Sequence, residues 1–200
     1  MDRAREHAKA LMHINSDPSH DFAHVERVCV LAKKLARQCG CNATIVELAA
    51  LFHDVYDHKY ERGDVHMEQV WEDVGREHQE AVMRLVQNIG WTQESRLRGS
   101  DQWTDWHQTC LELHCVMDAD KLDALGAIGV LRCAAYAGAK NNPLLGASSA
   151  HSHFYEKLIR LEEYMLTSGG RSMARQRTQF MHLFLQQIER EKEESGVSLL

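Results

Sequence analysis

The sequence predicts an all-α fold, and three observations lead there. Only two prolines, Pro18 and Pro143, occur in 200 residues. No run alternates apolar and polar residues between turn signals, as a half-buried strand would. Several segments instead repeat apolar residues at the three- and four-residue spacing that lines one face of a helix.

After Pro18, residues 21–37 carry Val28, Leu31 and Leu35 on one stripe and stop near Gly40, so a helix is expected there. His24, four residues before Val28, then faces inward. A second helix is expected to start at Thr44, whose hydroxyl can cap it while Glu47 closes a capping box. It should run through Leu48 and Phe52 into His53 and Asp54, which makes LFHDVYDHKY (51–60) a helix end. Longer helical patterns cover 65–89 and 111–137, and the polar TQESRLRGSDQ (92–102) between them is expected to be a loop. A second loop is expected in AGAKNNPLLGASSAHS (137–152). From His153 onward two more helices are expected, one rich in Leu and Met, the other ending in the charged EREKEESG. No internal repeat breaks this pattern, so one domain over residues 1–200 is expected.

Composition narrows the function classes. At 44% hydrophobic and 26% charged, the chain suits a globular domain with a sizeable core. A net charge of −6 supplies no basic field for a nucleic-acid polymer or an anionic membrane. Any phosphate-bearing ligand must be caught by a few local cations or by a metal. The six cysteines, at 29, 39, 41, 110, 115 and 133, form no CxxC pair and read as reduced thiols. The N-terminal MDRAREHAKALMH has no apolar core of a signal peptide. The most apolar stretch, 124–139, is cut by Arg132 and is shorter than the roughly 20 residues of a membrane span. A soluble, cytoplasmic protein is expected, with no membrane partner and with a homodimer left open.

The chemistry concentrates at His53 and Asp54. A buried imidazole beside a buried carboxylate is costly unless something pairs with both, and a metal ion does so. If the helices carrying His24 and His53-Asp54 pack side by side, two imidazoles and a carboxylate meet. VMDADKLDALGA (116–127) offers a further ligand. At about 100° per residue, Asp118 and Asp120 point nearly opposite ways, whereas Asp120 and Asp123 share a face. Asp120 is the better ligand, Asp118 the fallback, and Asp123 a neighbouring carboxylate able to orient a histidine or a water. A single inward histidine is more often a hydrogen-bonded core residue than a ligand; the combination with His-Asp and Asp-Ala-Asp reverses that balance. His58, His66, His78, His107 and His182 are read as surface or loop histidines, and Met165, Met173 and Met181 as core filling.

The series HDFAHVERV (20–28), LFHDVYDHKY (51–60) and DADKLDALGAIGVLR (118–132), followed by HFYEKLIRL (153–161) and RTQFMHLFL (177–185), resembles the HD-domain superfamily of metal-dependent phosphohydrolases. It is similar in particular to the stand-alone bacterial-type hydrolases, some of which act on nucleoside triphosphates. The resemblance runs from about residue 19 to 189 and is weakest between 62 and 110. It implies a single HD-type helical domain and a metal held by His24, His53, Asp54 and Asp120. Relatives of this type tend to carry a His-Ser pair after the helix that here ends in VQNIGWTQES; Gly90 and Trp91 stand near that place, so no substrate contact by such a pair carries over.

Two imidazoles and two carboxylates suit one divalent ion, Mn, Fe, Co, Ni or Zn, with Mg also allowed. Asp57, three residues after Asp54 and matching an acid common in relatives, is the candidate general acid/base, against a bland role capping a helix or pairing with Lys59. Lys59 and Lys121 stand close in sequence to proposed ligands and are the candidate phosphate contacts. Arg27 and Lys157 are weaker candidates for the same role, and His20 and His153 are candidates for lining the pocket. The expected function is a metal-dependent phosphohydrolase acting on a small phosphate ester or nucleotide, foremost a nucleoside triphosphate pyrophosphohydrolase. The alternatives are a nucleoside monophosphate phosphatase, a nonenzymatic metal- and nucleotide-binding sensor, and a di-iron oxygenase, whose extra ligands the sequence does not place.

Overall fold

The structure is a computed structural model that describes residues 1–12, 21–55, 71–72 and 75–196. Among the described residues it is all-helical, as the periodicity predicts, and contains no strand. Its residues gather into two compact units, the first ending at Asp120 and the second running from Lys121.

The first unit is organised around a helix that has almost no solvent face. Helix α1 spans Asp2–Met12, α2 Phe22–Cys39 and α3 Ala43–Phe52. Every residue of α3 from Val46 to Phe52 is buried, and α1 and α2 both pack on it. An all-round buried helix is a core element by composition. Burial of Leu48, Leu51 and Phe52 stabilises by roughly 1.5–3 kcal/mol each. The one charge in that run, Glu47, is 7% exposed. Its carboxylate receives Arg5 Nη2 at 3.1 Å and Lys33 Nζ at 2.6 Å, so α1 and α2 each give it a cation. The expected start of α3 needs correction. The cap is Asn42, whose side-chain oxygen accepts from the Thr44 and Ile45 amides at 3.0 and 3.2 Å, and Glu47 is committed to those cations instead of a capping box.

The pattern over 65–89 is not one helix. Its described part breaks at Gly75, where φ is 107°, passes through a 3-10 turn at Arg76–His78 and resumes as α4, Gln79–Val86, which packs on α3. The expected loop at 92–102 is largely helical: α5 spans Trp91–Gly99. Its buried residues are Leu97 and Glu94, the latter held by Arg98 at 2.9 Å, so no apolar stripe marks it in the sequence. Helix α6, Asp105–Thr109, contains a further departure, because His107 is buried and not a surface residue. His107 Nε2 lies 2.9 Å from Asn88 Oδ1, and the Thr104 amide donates to its Nδ1 at 3.1 Å, which fixes a neutral ring with the proton on Nε2. Trp103 and Trp106 flank the imidazole at centroid distances of 4.8 and 4.9 Å, with Arg98 over Trp103 and Arg84 over Trp106.

The pattern over 111–137 also divides, into α7, Leu111–Asp123, and α8, Gly126–Ala139. Two glycines make the break possible. Gly126 has φ 76° with the Arg177 side chain against it, and a Cβ at Gly129 would lie 2.2 Å from the Ala124 carbonyl oxygen. In the second unit α8 packs against α10, Ser168–Ser195, and the short α9, Ala150–Glu156, packs on a 3-10 segment at Leu158–Tyr164 that also meets α10. Residues between Lys140 and Ser149 are non-helical, which agrees with the expected loop there. Met165 and Met181 are buried, as core filling requires.

Two measurements check these assignments. Asn42→Ala removes the acceptor for two amides and is expected to cost about 1 kcal/mol in denaturant unfolding, with unchanged m-value. Burial first, then Arg84 and Arg98, lowers the His107 pKa. Its stabilising contribution is therefore complete above the unfolded value of about 6.5 and is lost as pH falls toward the lowered folded value. Stability measured from pH 8 to 5 should decline less steeply in His107→Gln than in the wild type; parallel curves would remove His107 as the source.

Candidate metal centre

Three separate helix ends and faces deliver the donors. Asp21 caps α2, its carboxylate accepting the His24 amide at 3.0 Å, and this sets the first turn of α2 so that the His24 ring lies 1% exposed. At the other end of the pair, α3 stops at Phe52 and His53 is its C-cap. There the His53 Nδ1–H donates to the Ala50 carbonyl at 2.7 Å, leaving Nε2 with its lone pair as a donor to a cation. Asp54 follows in the turn, and Asp120 comes from α7.

These atoms converge. His24 Nε2 is 3.4 Å from Asp54 Oδ2 and 3.6 Å from Asp120 Oδ1; His53 Nε2 is 3.4 Å from Asp54 Oδ1 and 3.9 Å from Asp120 Oδ1. One donor each from His24, His53 and Asp120 lies within 4.8 Å of the others. The two rings meet edge to face at 5.3 Å. Ligand bonds of about 2.0–2.2 Å put neighbouring donors about 3 to 3.5 Å apart, so this set fits a divalent ion with slight contraction. The mixture of imidazole and carboxylate is also right for a first-row divalent ion.

Asp118 is completely buried and is not part of the converging group, in keeping with its position 200° around the helix from Asp120. Asp123, which shares a face with Asp120, accepts Arg132 Nη1 on its Oδ2 at 3.1 Å within the second unit. The orienting acceptor that the sequence motif did not reveal is the backbone carbonyl of Ala50, three residues before His53, a spacing that a helix end makes available. Arg27, on α2, is half-buried. Lys121 is 5% exposed and donates to the Tyr164 carbonyl at 3.2 Å. His153 and Lys157 are half-buried in the second unit, and burial followed by Lys157 lowers the His153 pKa. His20, Asp57, Lys59, His58 and His66 lie outside the described residues.

An all-helical unit in which a histidine, a His-Asp pair and a distant aspartate meet at one point defines a class of metal-binding domain. The HD domain family matches residues 21–125, more than half of the chain, and the chain belongs to that family. YpgQ of Bacillus subtilis is 34% identical over 179 residues, 86% of this chain and 84% of that protein. The crystal structure of YpgQ in complex with ADP superposes with a TM-score of 0.76 at 30% identity, covering 95% of this chain and 96% of that one. An HD-superfamily hydrolase from Bacillus thuringiensis has a TM-score of 0.73 at 30% identity, with 96% of each chain covered. Among the described residues, no single helix is long and apolar enough to cross a membrane.

Asp54→Ala is expected to retain no divalent ion after dialysis, read by elemental analysis against a wild type that does. Full retention by the variant would remove Asp54 from the coordination sphere.

Proposed function

We propose that this chain is a metal-dependent phosphohydrolase of nucleotides, with a nucleoside triphosphate as substrate and pyrophosphate as leaving group. The observation that carries the reading is the convergence of His24 and His53 with Asp54 and Asp120, whose imidazole-to-carboxylate distances are 3.4 to 3.9 Å. The ADP bound by YpgQ, which covers nearly the same length of chain, supports a nucleotide as the ligand class.

His24, His53, Asp54 and Asp120 would hold the ion. When bound, a divalent ion supplies Lewis-acid polarisation of a phosphoryl oxygen and makes water a better nucleophile near neutral pH. The protein's own groups then have separate tasks. The Ala50 carbonyl keeps His53 in the tautomer whose Nε2 is a ligand. Asp57 accepts the proton of the attacking water as it adds to the α-phosphorus. The bond between that phosphorus and the oxygen bridging to the β-phosphorus breaks, and the electron pair leaves with pyrophosphate. Lys59 and, on leaving its hydrogen bond to the Tyr164 carbonyl, Lys121, assisted by Arg27 and His20, would offset the charge that develops on the departing polyphosphate. Two lysines exceed what a monophosphate needs, which favours a triphosphate over a monophosphate substrate.

The deciding experiment is a screen of nucleoside mono-, di- and triphosphates across Mn, Fe, Co, Ni, Zn and Mg, with orthophosphate and pyrophosphate measured separately. Pyrophosphate and a nucleoside monophosphate from the triphosphates are expected. Orthophosphate from monophosphates alone would make the protein a nucleotidase, and nucleotide binding without turnover would make it a sensor. In the active metal form, Asp57→Asn should keep the ion and lose about 10²- to 10⁴-fold in rate. Loss of the ion in that variant would place Asp57 among the ligands.

A further inference from the structure

The second unit contains a cavity of about 540 Å³. Val130 and Ala134 of α8, Phe154 of α9, Phe184 and Ile188 of α10 and Leu145 of the segment between α8 and α9 form its walls. Close-packed interiors leave few voids larger than a water molecule, so a space of this size is no packing defect. It falls within the roughly 300–1,000 Å³ of small-molecule sites. The wall supplied by residues 140–149 is fixed in place. The Ala150 and His151 amides donate to the Pro143 and Leu144 carbonyls, each at 3.0 Å, and the Ser149 hydroxyl donates to the Gly146 carbonyl at 2.6 Å. The Phe154 and Phe184 rings lie 5.8 Å apart with their planes inclined by 33°.

The polar groups at the mouth hold one another. Lys192 Nζ donates to Glu189 at 2.8 Å, and Glu191 accepts Gln187 Nε2 at 2.9 Å. The Ser195 hydroxyl donates to the Lys192 carbonyl at 2.8 Å, and His151 Nε2 lies 3.1 Å from Glu189 Oε1. An anionic ligand therefore meets two carboxylates, a cationic one meets the Lys192 ammonium, and either must displace an existing pairing to gain a partner. We propose that this cavity binds a neutral small molecule with an aromatic body, at a site formed by none of the metal donors and independent of the nucleotide reading. Its apolar walls favour the ligand in proportion to the apolar surface it buries, and the two phenylalanine rings offer offset-stacked or edge-to-face contacts to an aryl group.

The test titrates fluoronaphthalene into the full-length protein and follows its fluorine NMR line, with fluoronaphthoate and fluoronaphthylmethylammonium as charged analogues of the same body. One saturable equivalent of fluoronaphthalene is expected, and both charged analogues should bind about tenfold or more weakly. Ala134→Phe fills the cavity from α8 and Ile188→Trp fills it from α10. Each should weaken binding about tenfold or more, while circular dichroism and sedimentation stay those of the wild type. Phe184→Leu keeps the wall apolar, removes one ring and should weaken binding about two- to tenfold. Absence of saturable binding in the wild type, tighter binding of either charged analogue, or full affinity in a helical filling variant or in Phe184→Leu would overturn the proposal. So would a filling variant that sediments as a smaller species than the wild type, because a second copy of this chain would then be what covers the cavity.

Discussion

The hydrogen bond from His53 to the Ala50 carbonyl ties the chemistry of the centre to the packing of the core. That carbonyl belongs to the last turn of α3, which has no partner further along the helix and must be satisfied by some other donor. His53 satisfies it and thereby fixes its own tautomer. Because α3 is buried from Val46 to Phe52, the turn cannot shift without disturbing Leu48, Leu51 and Phe52. The His53 Nε2 is thus anchored to the core through its ring, and a metal centre needs donors supported in that way to hold fixed separations.

The same dependence explains why carboxylates and imidazoles can sit so close together in this unit. Asp54 and Asp120 bring negative charge to His24 and His53, and taking such charges out of water is expensive unless they are compensated. A cation held by these donors would resolve the expense with the donors where they stand. Elsewhere in the chain the same problem is solved internally: Glu94 by Arg98, Asp123 by Arg132, Glu47 by Arg5 and Lys33.

Much of the centre was legible in the sequence because helix phase carries it. His24 is placed inward by Val28 and Leu35, His53 and Asp54 by the end of an apolar run, and Asp120 over Asp118 by the 100° step. Features that depend on partners far along the chain were not legible. Asp123 shares a face with Asp120, yet its charge is taken by Arg132 across a helix break that only the Gly126 and Gly129 backbone contacts explain. Helix α5 lacks an apolar stripe because its inward face is partly a Glu94–Arg98 pair. The cap at Asn42 competes with an equally plausible Thr44 box, and the outcome turns on Glu47 being needed by cations from two other helices. His107 looks like one of many surface histidines until Trp103, Trp106 and Asn88 are seen around it.

Glu47 also separates two notions of where this domain begins. The family match opens at residue 21, just before the first ligand, and a boundary drawn by homology would discard α1. The folded unit does not respect that boundary. Ala4, Ala8 and Met12 are buried, and Arg5 supplies one of the two cations on a carboxylate lodged in the central helix. A chain trimmed to the matched region would keep His24, His53, Asp54 and Asp120 and lose one of the two cations on Glu47 in the middle of its core. The converging donors and the folded unit around them therefore differ in extent, and the second is longer by a helix that contains none of the donors.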